Sequence, residues 1–320
     1  MNTRRHLAAS ALLATACHAD AAPPAGPVGT TAAPAVTVAR DEHDRDASLA
    51  KGAVTWLGGP TALLERGGFR VLTDPMLSGR GPSAFTLPRH PSTGAPNAPV
   101  TRYLAPGTVD LQRLDAVFVS HMHADHFDGR AKEMLPKNLP IVVPPSGAAA
   151  LRSAGFADVR PLDWDESTTF VRGGTRLVVH AVAAHHAHDA TLDRELGKGN
   201  GYVLEWDDGT SGVLRLYWTG DAVLTEDMRA LGSRFGAIDL VMPHMGGVGG
   251  DGPLGLRTMD ASETVELVAA LRPRRVVPIH HTTFAHYREP VDALLEQAAE
   301  KGMDKAIRLP HVGTAIAIAP

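Results

Sequence analysis

The chain has 320 residues, a formal net charge of −4, 44% hydrophobic residues and 21% charged residues. This length can bury the core of one large domain or two small ones, and the composition is ordinary for a globular protein. The small negative charge and the lack of any basic run argue against a nucleic-acid partner. Histidine, which occurs 16 times, is the unusual feature of the composition.

The first residues have the pattern of an export signal. Arg4 and Arg5 precede an apolar stretch from Leu7 to Ala16, followed by small residues, so we predict a signal peptide over residues 1–19. The paired arginines are also typical of a twin-arginine signal, which exports folded proteins. The apolar stretch is too short to cross a bilayer, so no integral membrane span is expected. The predicted location is therefore periplasmic or secreted.

The only cysteine, Cys17, lies inside this signal. Ala14 stands where a lipobox usually has leucine, so a lipid anchor on Cys17 is the less favoured alternative. The rest of the chain has no thiol, and a bound zinc ion must therefore use histidine and carboxylate ligands. Residues 20–50 are rich in Ala, Pro and Thr without periodicity. They are predicted to be a disordered tether before a single domain over residues 51–320.

The predicted domain starts with three strands, joined in part by a Gly-Gly turn at 67–68. Residues 75–100, rich in Pro, Gly and Ser, are predicted to be an irregular loop. Asp260 is predicted to cap a helix, with Glu263 as its capping-box partner. Hairpins mixed with βα units predict a layered α/β domain with helices outside a mixed sheet. The predicted strands are 53–57, 61–66, 69–73, 116–119, 141–143, 168–171, 175–183, 200–206, 213–218, 238–242, 275–279 and 313–318. The predicted helices are 129–135, 146–153, 261–271 and 290–302.

The segment His-Met-His-Ala-Asp-His at residues 121–126 follows directly on the apolar strand at 116–119. Side chains at the end of a strand are held by the sheet and open to solvent on one side, which is the setting that a catalytic metal needs. Four potential ligands this close together suit two cations better than one. A two-metal site then needs about three more ligands from elsewhere in the chain.

Three other predicted strands are followed by histidine or aspartate. His-His-Ala-His-Asp at 185–189 follows one strand, Gly-Asp at 220–221 follows the second, and His-His at 280–281 follows the third. Each segment alone has a simpler explanation as a polar turn, but the shared position at strand ends favours a metal site. The candidates within the first segment are His185, His186 and His188.

Taken in order, HxHxDH, a distal histidine, Gly-Asp and a histidine near the C-terminus resemble the metallo-β-lactamase superfamily. Residues 56–59, 72–75, 278–280 and 283–284 are similar to its branch of broad-specificity hydrolases. That branch includes N-acylphosphatidylethanolamine phospholipase D-like and ascorbate-6-phosphate lactonase-like proteins. The resemblance covers residues 53–319 and implies an αββα sandwich, in which two mixed β-sheets pack face to face with helices outside.

The resemblance also implies where two Zn²⁺ ions would bind. The first ion would bind His121, His123 and a distal histidine. The branch's Pro-Ala-x-His pattern selects His186 for that place over His185, and His188 is a third candidate. The second ion would bind three further side chains, and Asp221 would bridge both ions. These three side chains are Asp125, His126 and His280.

The implied enzyme is a metal-dependent hydrolase. It would use a metal-bridging hydroxide on an ester, lactone or phosphodiester bond of a small-molecule or lipid-like substrate. Asp125 is expected to orient the hydroxide or to carry a proton to the leaving group. His281 and His244 stand where the branch commonly has other residue types, and both are predicted to be rim residues with a catalytic or substrate role. Asp74 is predicted either to hydrogen-bond a ligand imidazole or to serve only as a turn residue before Pro75.

Two other functions use the same fold: a diiron or redox oxidoreductase, and a non-catalytic metal-binding envelope protein. His123 disfavours iron, because diiron relatives commonly have a carboxylate there, and the complete ligand set argues against a non-catalytic protein. Residues 247–252 fit a dinucleotide motif, but no helix follows at once, so a loop near the mouth of the site is predicted. Substrate selection is expected in the loops 75–100, 187–199 and 245–259.

Overall fold

The computed structural model describes residues 52–87, 97–209, 212–250, 252 and 254–318, which all belong to one unit of the chain, residues 44–320. The predicted signal peptide and tether lie outside the described residues. Among the helices of the described ranges, none is both long and apolar enough to cross a bilayer.

Seven strands form the first sheet: β1 (Ala53–Gly58), β2 (Thr61–Arg66), β3 (Phe69–Thr73), β6 (Ala116–Phe118), β7 (Ile141–Val143), β8 (Val159–Pro161) and β15 (Ala315–Ala317). They pair in the order β15–β1–β2–β3–β6–β7–β8. The side of β15, β1, β2 and β3 is antiparallel, whereas β3, β6, β7 and β8 are parallel. The predicted hairpin between β2 and β3 is confirmed. Gly67 and Gly68 both have positive φ, 57° and 82°, which a tight turn of this kind requires.

Six strands form the second sheet: β9 (Ser167–Arg172), β10 (Thr175–Ala184), β11 (Gly199–Asp207), β12 (Val213–Trp218), β13 (Leu240–Met242) and β14 (Arg275–Val276). They pair in the order β14–β13–β12–β11–β10–β9. The strands from β9 to β12 are antiparallel neighbours, and those from β12 to β14 are parallel. A separate antiparallel pair is formed by β4 (Gly81–Leu87) and β5 (Ala98–Arg102).

The two large sheets pack face to face over a shared apolar core. Trp56 and Phe118 enter it from the first sheet, and Tyr202 and Trp218 enter it from the second. The rings of Phe118 and Tyr202 lie 6.2 Å apart, and those of Tyr202 and Trp218 lie 5.4 Å apart. Each fully buried side chain of this size contributes about 1.5–3 kcal/mol through the apolar surface it removes from water.

The helices cover the outer faces of the sheets. They are α1 (Gly129–Met134), α2 (Pro145–Ser153), α3 (Ala190–Leu196), α4 (Glu226–Arg229), α5 (Leu231–Phe235), α6 (Ala261–Leu271) and α7 (Val291–Glu300). Residues of α1 and α2 pack on the first sheet, those of α4, α5 and α6 pack on the second, and α7 packs on α6. This arrangement is the αββα sandwich that the sequence resemblance implied.

The prediction of an irregular loop over residues 75–100 holds for residues 75–80 and is wrong for residues 81–87 and 98–100, which belong to the hairpin of β4 and β5. Pro82 and Pro99 conceal it in the sequence, since proline is tolerated only at strand edges and irregularities. The register of the pair shifts between Gly81 and Phe85, so the alternation of side chains is broken as well.

The predicted cap of α6 is confirmed in part. The Asp260 side chain accepts a 2.8 Å hydrogen bond from the backbone N–H of Glu263, as an N-cap residue does. The Glu263 carboxylate is not the capping-box partner, because it accepts instead from the backbone N–H of Leu224, at 2.9 Å. Glu263 therefore helps to fasten α6 to the segment that follows β12.

Candidate metal centre

The predicted ligands follow strands that share a direction. Residues 121–126 follow β6, which is parallel to its neighbour β3. His186, Asp221 and His280 follow β10, β12 and β14, which all run the same way in the second sheet. Side chains beyond the carboxyl ends of such strands gather at one edge, where ligands of α/β proteins commonly bind. Both sheets thus contribute side chains to one group, in which Asp221 lies close to His126 and His280.

The first cluster consists of His121, His123 and His186, whose candidate ligand atoms all lie within 4.8 Å of one another. The His121 Nε2 and His123 Nδ1 atoms are 2.9 Å apart. The His186 ring lies 4.5 Å from the His121 ring and 4.9 Å from the His123 ring, measured between centroids. The structure therefore places His186, and not His185, with the first pair of histidines.

The outer ring nitrogens of His121 and His123 each have a partner in the chain. His123 Nε2 donates to the carbonyl oxygen of Leu196 at 3.0 Å, which leaves Nδ1 facing His121. His121 Nδ1 lies 2.9 Å from the Ser120 hydroxyl. Burial, with a smaller effect of neighbouring imidazoles, lowers the pKa of His186 to about 4 and the pKa of His121 well below its ordinary value. Both rings are therefore neutral, the form that binds a metal.

The second cluster consists of the carboxylates Asp125 and Asp221 and the imidazoles of His126 and His280. Asp221 Oδ2 lies 3.1 Å from His126 Nε2, and Asp221 Oδ1 lies 3.2 Å from His280 Nε2. Asp125 Oδ2 lies 3.6 Å from His126 Nε2 and 3.7 Å from His280 Nε2. The charge of Asp221 also acts on the pKa of His121 and His186 in the first cluster. Its carboxylate is thus central to the group.

A hydrogen-bonding shell orients the second cluster. Asp74 Oδ2 lies 2.7 Å from His126 Nδ1, which confirms the predicted contact between Asp74 and a candidate ligand imidazole. His280 Nδ1 donates to the carbonyl oxygen of Met245, at 3.2 Å. In both rings Nδ1 is therefore hydrogen-bonded, and Nε2 faces the cluster. Carboxylate and carbonyl partners of this kind fix the ring and its tautomer in metal sites.

The electrostatics of the cluster call for a cation. Burial raises the pKa of Asp125 and Asp221, but the surrounding imidazoles outweigh burial and hold both pKa values well below the ordinary range. Burial lowers the pKa of His126, but Asp221, Asp125 and Asp74 outweigh it and raise that pKa well above 6.5. Without a bound metal, the positive charge of protonated His126 therefore balances part of the negative charge of these buried carboxylates.

The donor set fits divalent metal ions. The Nε2 atoms of His126, His186 and His280 are buried and have no hydrogen-bond partner of acceptable geometry in the described part of the chain. Buried polar atoms without a partner cost free energy, commonly about 1–3 kcal/mol each, unless a ligand satisfies them. Three inward imidazole nitrogens beside two ionised carboxylates are the ligand types that zinc uses.

The prediction that His244 lies at the rim is corrected by the structure, because its side chain is completely buried. Its Nε2 accepts a 2.7 Å hydrogen bond from Trp218 Nε1, and an indole can only donate. The ring proton is therefore on Nδ1, which donates to Asp221 Oδ1 at 2.9 Å. His244 is thus a buried hydrogen-bond donor to Asp221.

The other predicted histidines have partners outside the clusters. His281, predicted to be a rim residue, is buried against the Trp56 ring at 4.7 Å, and its Nε2 donates to the carbonyl oxygen of Pro278 at 3.2 Å. His185 Nδ1 pairs with Asp193 Oδ2 at 2.7 Å. The exposed His188 pairs with Glu263 on α6.

Sequence reasoning missed His286 and Tyr287, which both lie against the second cluster. His286 Nε2 is 3.4 Å from Asp125 Oδ2, and the Tyr287 ring is 4.6 Å from the His280 ring. The two residues follow a short turn after His280 and not a strand end, so the pattern that found the others does not include them. The abundance of histidine in the composition was the only signal available.

Comparison with known proteins agrees with this geometry. The family model of the beta-lactamase superfamily domain matches residues 69–281. The chain belongs to the metallo-β-lactamase superfamily. A metal-dependent hydrolase of Pyrococcus horikoshii is 27% identical over 248 residues, which is 78% of this chain and 91% of that protein. An N-acyl-phosphatidylethanolamine-hydrolyzing phospholipase D of Caenorhabditis elegans is 28% identical over 259 residues, 76% of this chain and 68% of that one.

Among solved structures, an isothiocyanate hydrolase from Delia radicum gut bacteria matches with a TM-score of 0.69 and 26% identity. The match covers 84% of this chain and 100% of that structure. The family and these relatives identify the chain as a metal-dependent hydrolase of the metallo-β-lactamase fold.

Proposed function

We propose that the protein is a dinuclear zinc hydrolase that attacks an ester, lactone or phosphodiester bond with hydroxide. The observation that carries the proposal is the convergence of seven predicted side chains, from both sheets, into two adjoining clusters. His121, His123 and His186 would hold one ion. The other ion would be held by the second cluster, with Asp221 shared between the two ions. The residues proposed for that second ion are Asp125, His126, His280 and Asp221.

The chain's own groups would bind, orient and move protons around this centre. Zinc ions, when bound, supply Lewis-acid chemistry that makes hydroxide available near neutral pH and stabilises developing negative charge. Asp125, whose side chain is 10% exposed, would orient the attacking water and deliver a proton to the leaving group. His244 and Asp74 keep Asp221 and His126 in place through the hydrogen bonds described above. The mature domain offers no thiol nucleophile, since Cys17 is the only cysteine.

The substrate is proposed to be a small molecule or a lipid-like molecule with an apolar group. Phe85 from β4 packs edge-on against Phe284 at 5.4 Å and against His286 at 5.3 Å, so an aromatic wall stands beside Asp125. The Tyr287 hydroxyl is buried and has no hydrogen-bond partner in the ranges that the structure describes. The names of the relatives, an isothiocyanate hydrolase and a phospholipase D, support an electrophilic carbon or phosphorus centre.

Metal analysis and a substrate screen test the proposal. Purified protein is expected to contain about two zinc ions per chain. Asp125→Ala and His280→Ala are each expected to lower kcat/KM at least about 100-fold, while His188→Gln, an exposed control, stays within about twofold. The screen contains lactones, esters, thioesters, phosphodiesters, isothiocyanates and β-lactams. Stoichiometric iron with redox turnover would favour the oxidoreductase alternative and sink this proposal, as would a metal-loaded protein inactive on every hydrolytic substrate.

We also infer that the protein is exported to the periplasm or secreted. The inference is supported by Arg4, Arg5 and the apolar stretch that follows them. Cells expressing the full chain are fractionated, and the N-terminus of the purified protein is determined. A shortened protein outside the cytoplasm is expected, and export should stop when both arginines are changed to lysine if the twin-arginine route is used. Recovery of the full-length chain in the cytoplasm would contradict the inference.

A further inference from the structure

His286 lies beside the second cluster although no sequence motif includes it. Its side chain is buried, with 7% of its surface exposed. The candidate ligand atoms of Asp125, His280 and His286 all lie within 4.8 Å of one another, as those of the first cluster do. A third histidine thus meets the carboxylate that the proposed function assigns to the second ion.

The spacing of these atoms is longer than an ordinary hydrogen bond and matches ligands around a shared metal ion. Asp125 Oδ2 lies 3.6 Å from His126 Nε2, 3.7 Å from His280 Nε2 and 3.4 Å from His286 Nε2. An N–H···O hydrogen bond is shorter, about 2.7–3.2 Å. Two ligands that each lie about 2.1 Å from a five-coordinate zinc ion are about 3.0 to 3.6 Å apart, for angles of about 90° to 120° between them. The distance from His286 to Asp125 is therefore similar to the distances from the predicted ligands His126 and His280 to Asp125.

The ring of His286 is held in this position by packing. Its centroid lies 5.3 Å from that of Phe85 on β4, 5.8 Å from that of Phe284 and 4.6 Å from that of Tyr287. The backbone N–H of Ala285 donates to the carbonyl oxygen of Thr101 on β5, at 3.0 Å. The hairpin of β4 and β5 therefore fixes the segment that carries His286, and a ligand held in this way is positioned before a metal arrives.

We propose that His286 is a further ligand of the second metal ion, through Nε2. This inference rests on the proposed dinuclear centre and adds to it a ligand from outside the predicted motifs. The second position then contains the imidazoles of His126, His280 and His286 with Asp125 and the shared Asp221. Three imidazoles favour zinc over the hard cations that prefer oxygen ligands. The hairpin of β4 and β5 thereby becomes part of the metal-binding structure.

The test compares wild type, His286→Gln and the control His188→Gln by stepwise titration of the metal-free protein with Co²⁺. The d–d absorption of each equivalent is recorded, and zinc affinity is measured by competition with a chromophoric chelator. We expect His286→Gln to bind the first equivalent as wild type does, and to bind the second at least about 100-fold more weakly with an altered band. The control should match wild type. An unchanged second affinity and band in His286→Gln would overturn the proposal.

A second measurement uses the wild-type protein, so it does not depend on the folding of a variant. In the Co²⁺-loaded protein each bound imidazole gives a hyperfine-shifted, exchangeable N–H proton signal. We expect one such signal for His286 in addition to those of His121, His123, His126, His186 and His280, and absence of that signal refutes the assignment. If wild type binds fewer than about two ions, the dinuclear proposal itself fails. If it binds two and His286→Gln is unaffected, only the role of His286 fails.

Discussion

Asp74 is a completely buried carboxylate whose two oxygens are both used to orient its neighbours. Its Oδ1 accepts from the backbone N–H of Ser120 at 2.7 Å, and its Oδ2 accepts from the Ser120 hydroxyl at 2.6 Å. The same Oδ2 lies 2.7 Å from His126 Nδ1. Burial raises the pKa of Asp74, which means that the buried position disfavours the charged carboxylate. A role in orienting His126 explains why a carboxylate is buried here. By binding Nδ1, Asp74 leaves Nε2 of His126 free to face the cluster.

Asp74→Asn is therefore expected to weaken zinc binding at the second position about 10–100-fold, since an amide cannot accept from all three donors. Affinity is measured by chelator competition on the metal-free protein, with circular dichroism to confirm the fold. Asp110→Asn is the matched control, because Asp110 is an exposed aspartate that caps a short turn. Equal affinity in Asp74→Asn and wild type would show that the contact does not orient the ligand.

The raised pKa of His126 predicts a pH dependence of metal binding. Without metal, His126 is protonated below a pKa that Asp221, Asp125 and Asp74 hold well above 6.5. A metal needs the neutral ring, so affinity at the second position is full above that pKa and falls about tenfold per pH unit below it. The fall should begin above pH 6.5 and shift to lower pH in Asp74→Asn. Titrations between pH 6 and 9 check this, and an affinity for the second ion that stays flat over that range would rule it out.

The candidate ligands that could be predicted from the sequence are those that lie close together in the chain or directly after a strand. Residues 121–126 put several ligand types in one short segment after a strand, and Asp221 and His280 share that context, so their convergence follows from the parallel strands. His286 and the inward turn of His244 depend on side-chain packing. His244 follows β13 much as His280 follows β14. Its Nε2, however, accepts a hydrogen bond from the Trp218 indole and is not free to bind a metal. Such tertiary contacts leave no local pattern in the sequence.

At the scale of elements, the short helix α3 supports the first cluster from two places. The carbonyl oxygen of Leu196, at its last residue, accepts from His123 Nε2 at 3.0 Å. Asp193, in its first turn, accepts from the backbone N–H of His186 at 2.7 Å and pairs with His185 Nδ1, also at 2.7 Å. The helix is itself started by Asp189, which accepts from two backbone N–H groups. One seven-residue helix thus positions two of the three histidines.

Asp193→Ala is expected to weaken metal binding at the first position about 10–100-fold while leaving the second position near wild type. The change frees the backbone of His186 and the ring of His185, so the orientation of His186 is lost. Arg194→Gln, which alters only an exposed bond to Thr191 on the same helix, is the control. Stepwise Co²⁺ titration separates the two positions. Equal weakening of both positions, or of neither, would argue against a specific role for α3.

Strong local signals made most elements predictable from the sequence. The strands β1, β2 and β3 combine apolar runs with a Gly-Gly turn, and α6 has both an N-cap and an apolar face. The elements that the sequence did not predict have weak signals, and three of them, β8, α4 and α5, have only three to five residues each. The hairpin of β4 and β5 is interrupted by prolines, and α3 is only seven residues long with one buried side chain, Leu192. Short elements of this kind are fixed by tertiary contacts, since isolated helices of that length are unstable.

At the scale of the whole molecule, the proposed metals would join the two sheets. Residues 121–126 come from the first sheet, whereas His186, Asp221 and His280 come from the second. Without metal, the buried carboxylates Asp125 and Asp221 depend on protonated imidazole for compensation. Among the described residues, three of the buried side-chain atoms without a hydrogen-bond partner lie at this edge of the sandwich: the Nε2 atoms of His126, His186 and His280.

Removal of metal is accordingly expected to lower the stability of the whole domain. An ion that binds only the native state stabilises it by RT ln(1 + [L]/Kd), about 4 kcal/mol at a free concentration 1,000 times Kd. Chelated protein should unfold at a lower temperature, and zinc should restore the transition. Hydrogen exchange should rise first in the segments after β6, β10, β12 and β14, and not in α7. The double variant His121→Ala/His280→Ala, which lacks a ligand in each cluster, should unfold at the same temperature with and without zinc. A zinc-dependent shift in that variant would place the stabilising metal elsewhere, whereas a wild type indifferent to chelation would mean that the sheets are held together without it.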